Sequence, residues 1–146
     1  MAIPSRTAKS GTYFITTATH NRRRLFQVER NATLLLETID HYRTNYHLHA
    51  YVIMPDHLHL LITPTDITLE RTIQLIKGGF SHRLASKLPV WQRGFTDHRI
   101  RDAADYNTRH SYLHQNPVTA RLCESAETYP YSSANSKLHL DEYLSQ

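Results

Sequence analysis

Histidine, tyrosine and amide side chains recur in this chain at spacings that chemistry can use. His57, Leu58 and His59 form a His-Leu-His tripeptide inside the apolar run 57–63. In a strand, residues i and i+2 point to one face, so both imidazoles stand side by side, within reach of one bridging cation. Leu58, Leu60 and Ile62 then point to the other face and can bury it. Two neutral imidazoles on a rigid strand make a good half-site for a divalent metal. The competing reading is a structural histidine pair. His47-Leu48-His49 repeats the spacing. It starts its strand, where a helix-to-strand loop would leave His47 exposed. The second pair follows a tight Met-Pro-Asp turn and leads into a long apolar strand, and is favoured on that ground. Spacing alone does not dismiss the first.

A second set lies at helical spacing. Asp105, Arg109, Tyr112 and Asn116 follow one another at four, three and four residues, so they share one polar stripe of a helix over 103–116. Ala103, Tyr106, His110 and Leu113 fall on a different face, the expected packing face. The plain reading is a solvent-facing helix ending in an Asn before Pro117. The chemical reading is that Asn116 adds an oxygen ligand to the histidine pair and brings Tyr112 beside the same metal. A tyrosine hydroxyl titrates near 10 and is a poor nucleophile until a base or a metal field activates it. Its attack on a phosphodiester would exchange one ester for another, nearly reversibly and without ATP. Two histidines plus an amide oxygen, with positions open for phosphate and water, would suit Mg²⁺ or Mn²⁺ working on DNA.

These residues need a scaffold. Residues 11–19 are rich in β-branched and aromatic side chains and read as a strand, followed by the basic loop NRRRLF. Ala32, Leu35, Ile39, Tyr42 and Tyr46 recur at spacings of three and four and predict a helix over 29–46. Residues 48–54 and 57–63 read as a hairpin across Pro55-Asp56. Leu69, Ile73, Ile76, Phe80 and Leu84 line one face of a helix over 67–87, interrupted by Gly78-Gly79, where a kink or a close backbone approach is expected. Residues 90–95 read as a short strand. Asp102 is the expected N-cap of the last helix, and Pro117 sets its end at Asn116. The order β-α-β-β-α-β-α predicts an α+β sandwich of ferredoxin-like type around an antiparallel sheet.

Length and composition fit that scaffold. At 146 residues the chain is one domain by size, over 1–146, with a C-terminal tail of about ten residues that carries no readable signal. It is too short for a barrel of about 250 residues, which excludes the large metal-hydrolase barrels that also carry a His-x-His pair. No apolar run approaches the roughly 20 residues of a membrane span, and MAIPSRTAKSGTYF has no apolar core of a secretory signal. The lone cysteine, Cys123, has no disulfide partner, and a reducing cytoplasm is expected. Basic and acidic segments alternate. Residues 1–30 hold six Lys and Arg against one acid, and 71–101 hold seven against one. Such basic patches are the electrostatic mark of a nucleic-acid partner, weighed against a solvated mixed surface.

YVIMPDHLHLLITP, WQRGFTDHRIR and YLHQNPVTARL together resemble the REP-associated tyrosine transposases, a branch of the HUH endonucleases. The resemblance covers about residues 10 to 135. It implies the HUH version of the ferredoxin-like sandwich, with His57 and His59 as metal ligands. Tyr112 would be the nucleophile that forms a 5′-phosphotyrosine link, and Asn116 would complete the metal site with Mg²⁺ or Mn²⁺. It also implies a partner, single-stranded DNA whose imperfect palindromes fold into hairpins, and action in a prokaryotic cytoplasm at the nucleoid. Arg22, Arg23, Arg24, Lys77, Arg83, Arg93, Arg99 and Arg101 are then the expected DNA contacts, with Trp91 and Phe95 as stacking surfaces or core. Two departures stand out: Asp56 where the family commonly has Asn, and Arg121 where it commonly has Gly. Neither is expected to touch the chemistry. The alternatives are a non-catalytic regulator that holds DNA hairpins on the same fold, and a small metal hydrolase that uses water.

Overall fold

The computed structural model describes residues 11–135 and 138–144. Arg6 and Lys9, part of the first basic segment, lie outside them, as does the end of the C-terminal tail. Four strands and three helices form in the order β1 (Tyr13–Ala18), α1 (Glu29–His41), β2 (Tyr46–Met54), β3 (His57–Pro64), α2 (Leu69–Leu84), β4 (Thr96–Arg99) and α3 (Ala103–Thr119). All strand pairs are antiparallel, in the spatial order β2-β3-β1-β4. That is the ferredoxin-like arrangement expected from the sequence, with β3 and β1 central.

The two faces of the sheet bury different sets. Tyr13, Ile15, Leu58, Leu60 and Ile62 pack on one side with Leu35 and Ile39 of α1 and Ile73, Ile76 and Phe80 of α2. Phe14, Ala50, Val52 and Leu61 pack on the other side with Leu113 of α3. Strand alternation therefore does what the His-Leu-His spacing demands. The leucines enter the large core, and the histidines face α3.

Several boundaries differ from expectation. The first helix ends at His41, not at residue 46, and Tyr46 opens β2 instead. Tyr46 is buried because its hydroxyl donates to the Ile39 carbonyl at the helix end, so its spacing mimics one more helical turn. The short strand expected at 90–95 is only an isolated bridge between Thr19 and Trp91. The chain bends at Gly94, with φ +79, and the ladder resumes as β4 at 96–99. Trp91 packs against Phe26 and Phe80, in the core. Gly78-Gly79 leaves α2 unbroken. A Cβ on Gly79 would fall 2.7 Å from the Tyr42 ring, so that glycine permits close packing of α1 on α2.

α3 is capped by Asp102, whose carboxylate accepts the Asp105 N–H at 2.8 Å. The helix does not stop at Asn116 but runs through Pro117 to Thr119. The proline lacks only the N–H that would have reached back one turn, and its own carbonyl accepts the Leu122 N–H at 2.9 Å. Arg121 follows with φ +62, in the left-handed region, and donates its N–H to Val118. These two bonds form a Schellman motif, whose left-handed position favours glycine. The buried side of α3 also differs: Asp105, Leu113 and Pro117 are buried, and Ala103 is exposed.

The outer edge of β2 is covered. Ile53 donates its N–H to Tyr131, Val52 bridges Ser132, and Asp141 donates its N–H to Leu48 at 2.7 Å.

Candidate active site

His57 and His59 stand side by side on β3, their ring centroids 4.8 Å apart. Each ring is fixed through Nδ1. His57 donates to the Asp56 carboxylate at 2.7 Å, and His59 Nδ1 lies 2.8 Å from Thr16 Oγ1 on the adjacent strand. The Nε2 atoms are thereby aimed toward α3. His57 Nε2 is 3.3 Å from Asn116 Oδ1. His59 is 4% exposed, and its Nε2 is buried without a hydrogen-bond partner. Burial, and then the neighbouring His57, push its pKa down to about 3, so the ring is neutral at any physiological pH.

This donor set fits a divalent cation. A neutral His57 with its proton on Nδ1 presents a lone pair to an amide oxygen, also a lone pair, and His59 adds a buried acceptor beside them. Two imidazoles that donate Nδ1–H to fixed oxygens are the usual form of metal-ligating histidine. Among the described residues no three His, Cys, Asp or Glu side chains gather into a metal site, so a cation here would rest on His57, His59 and the Asn116 amide oxygen.

Tyr112, one turn before Asn116, is 52% exposed. Its ring lies 5.7 Å from His59 and 5.9 Å from Phe14, and Phe14 itself stacks on His59 at 5.1 Å. Phe14 is thus the apolar floor under Tyr112 and His59, a part that the sequence reading missed. Its only signal was its place on the same face of β1 as Thr16.

Asp56 is the clearer omission: its carboxylate accepts from Nδ1 of His57, one of the expected ligands. The turn places its carboxylate beside the ring, and its backbone carbonyl accepts the Thr19 N–H at 2.9 Å. Arg22 approaches the same carboxylate at 3.6 Å, from consecutive left-handed residues at Asn21 and Arg22.

The basic residues divide by position. Arg22 and Arg93 line a cleft of about 210 Å³ together with Thr16, next to the histidines. Arg24 is exposed and donates to Gln27. Arg101 lies beside Asp105 at 3.4 Å, at the head of α3. Arg23 donates to the Pro89 carbonyl, and Lys77 donates to the carbonyls of Gln92 and Gly94, so both hold the 89–94 loop. Arg83 lies 5.7 Å over the Tyr42 ring on the opposite side of the sheet, and Arg99 lies 5.9 Å over Tyr13, also on that side.

Comparison with known proteins supplies the family. The family model described as "Transposase IS200 like" matches residues 7–116. A REP-associated tyrosine transposase of Escherichia coli is 29% identical over 132 residues, covering 86% of this chain and 77% of the relative. A Haemophilus influenzae protein described as a candidate of the same type is 27% identical, covering 92% and 86%. The solved structure of a REP-associated tyrosine transposase bound to a REP hairpin superposes with a TM-score of 0.80 at 26% identity, covering 93% of this chain and 84% of that one. With a face-sharing histidine pair, an exposed tyrosine beside it and similarity to REP-associated tyrosine transposases over most of its length, the chain belongs to the IS200-like transposases.

Proposed function

We propose that this transposase nicks and rejoins single-stranded DNA beside hairpin-forming repeats, with Tyr112 as the nucleophile. The observation that carries this reading is the meeting of α3 and β3: Tyr112 stands exposed at 5.7 Å from His59, one helical turn from the Asn116 amide that faces His57. The Tyr112 oxygen attacks phosphorus, the bond to the 3′-oxygen breaks, and the phenol proton ends on that oxygen. The products are a 5′-phosphotyrosine and a free 3′-hydroxyl, and the reverse attack rejoins the strand. His57, His59 and Asn116 would hold Mg²⁺ or Mn²⁺, which when bound polarises a non-bridging phosphate oxygen. Phe14 sets the height of the tyrosine ring, and Asp56 and Thr16 keep the two imidazoles turned toward α3. Arg22 and Arg93 are placed to receive the strand, which makes binding salt-dependent. The work is expected in the cytoplasm, at the nucleoid; among the described residues no helix is long and apolar enough to cross a membrane.

Incubation with single-stranded hairpin DNA and Mg²⁺ or Mn²⁺, resolved on a denaturing gel, tests the reading. The wild type should leave a covalent protein–DNA adduct, with a phosphonucleotide on the peptide containing Tyr112 by mass spectrometry. Tyr112→Phe should give neither cleavage nor adduct. Cleavage by Tyr112→Phe at the wild-type rate would replace the tyrosine with a metal-activated water. Hairpin binding without cleavage by the wild type would make the protein a binder.

A further inference from the structure

Arg109 was expected only as one member of the polar stripe on α3. The structure gives it a particular setting. Its guanidinium lies 5.5 Å over the Phe14 ring, the same ring that touches Tyr112 and stacks on His59. Arg109 precedes Tyr112 by three residues, so the two side chains are neighbours on the helix surface. Both line an open groove of about 420 Å³, together with Arg101, Asp105 and Thr108.

What Arg109 does with its charge is then the question. Its nearest anion is Asp105, at 3.9 Å, the longest of that carboxylate's ion pairs. Asp105 already accepts the Arg101 N–H at 2.9 Å and a His98 ring nitrogen at 2.8 Å. Against the upward push of burial, these partners hold its pKa down to about 2. Asp105 therefore anchors the guanidinium from one side without consuming it. Arg109, with a side chain 36% exposed, keeps donors free on the groove side. A planar fork held between a ring and a carboxylate is pre-organised to take a second, bidentate anion. The anion that the chemistry brings closest to Tyr112, and so to Arg109 three residues before it, is the phosphate under attack.

We propose that Arg109 contacts the scissile phosphate, holding it in the groove beside Tyr112 and countering the charge that builds on its non-bridging oxygens. The inference rests on the reading of Tyr112 as nucleophile. It adds a cationic partner on the face of α3, independent of the histidine pair.

The test is single-turnover cleavage of two hairpin substrates, one with a normal scissile phosphodiester and one with an uncharged methylphosphonate at that bond. Arg109→Gln should cleave the phosphodiester about 10²-fold more slowly, the usual loss for one pre-organised donor. Arg109→Lys should recover part of the rate. Hairpin affinity should change by no more than about threefold, since one phosphate contact among several is lost. On the methylphosphonate the difference between Arg109→Gln and wild type should vanish, which a merely structural role would not produce. An equal deficit on both substrates, or wild-type cleavage of the phosphodiester by Arg109→Gln, overturns the proposal. Tyr112→Phe run in parallel separates the two readings. If it still cleaves, the nucleophile is wrong, and the ratio between the two substrates still reports on Arg109. If Arg109→Gln does not fold, the same ratio for Arg109→Lys decides.

Discussion

The chain carries two His-Leu-His tripeptides on adjacent strands, and they come to different ends. On β3, His57 and His59 sit in unbroken register with Ala18 and Thr16, each ring held at Nδ1, with His57 Nε2 facing Asn116 and His59 Nε2 without a partner. On β2, the pairing shifts between Leu48 and Ala50, so that His49 is the extra residue of a bulge. His49 is buried with both nitrogens occupied, Nε2 at 2.7 Å from Thr63 Oγ1 and Nδ1 donating to the Asp141 carbonyl at 2.8 Å. His47 is exposed, 3.8 Å from the Asp141 carboxylate, and the two rings are 6.5 Å apart. The spacing is the same in both places. The unpartnered Nε2 of His59, and the Asn116 amide opposite the pair, distinguish the proposed ligand pair from a structural clasp.

The sharpest way to break this contrast is to exchange the roles. His57→Ala and His59→Ala should each lower cleavage by 10³-fold or more, on the order of a lost active-site metal, with hairpin affinity little changed because Arg and Lys carry the phosphate contacts. His47→Ala should cleave like wild type. Loss of metal-dependent cleavage in His47→Ala, with retention in His57→Ala, would reverse the assignment.

The adjoining carboxylates sharpen it further. Asp56→Ala removes the acceptor that turns His57 toward Asn116, and cleavage should fall by about 10- to 100-fold. Asp141→Ala releases Arg43, bound at 2.8 Å, and the Leu48 N–H. It should leave the cleavage rate alone and cost about 1–3 kcal/mol of stability, read from urea unfolding at pH 7. An Asp141→Ala protein with normal stability and impaired cleavage would erase the distinction.

The smallest effect is a pH slope. Burial lowers the pKa of His49, and burial together with His110 lowers that of His114 to about 4. The unfolded chain therefore takes up these protons first. The stabilisation is complete above the unfolded value near 6.5 and is lost as pH falls through the folded values, about 4 for His114. Urea midpoints should drop between pH 7.5 and pH 5, and His114→Gln should flatten that drop. A midpoint that rises on acidification would show that these rings are charged in the fold.

Much of this site was legible because its determinants are local. Strand alternation puts His57 and His59 on one face, helical spacing puts Tyr112 beside Asn116, and an Asp marks the start of α3. What was not legible depends on tertiary partners. Tyr46 continues a helical apolar pattern yet belongs to a strand, since its hydroxyl finds Ile39. Thr96–Arg99 is polar and looks unlike a strand, but it needs only one partner, β1, and its alternate side chains meet different layers. Asp56 would point away from His57 in a regular strand, and only the turn lets its carboxylate double back. Arg121 did have a signal in its departure from the family resemblance, since φ +62 is a conformation that favours glycine.

The covered edge of β2 also orders events in time. Synthesis runs from the N-terminus at about 5–20 residues per second, so all four strands leave the ribosome before Tyr131, Ser132 and Asp141 do. Until those residues arrive, the nascent sheet carries an unpaired border beside His49, open to any extended segment within reach. The sheet is therefore most exposed to mispairing until those residues emerge, and a pause in translation between residues 99 and 131 would prolong that interval.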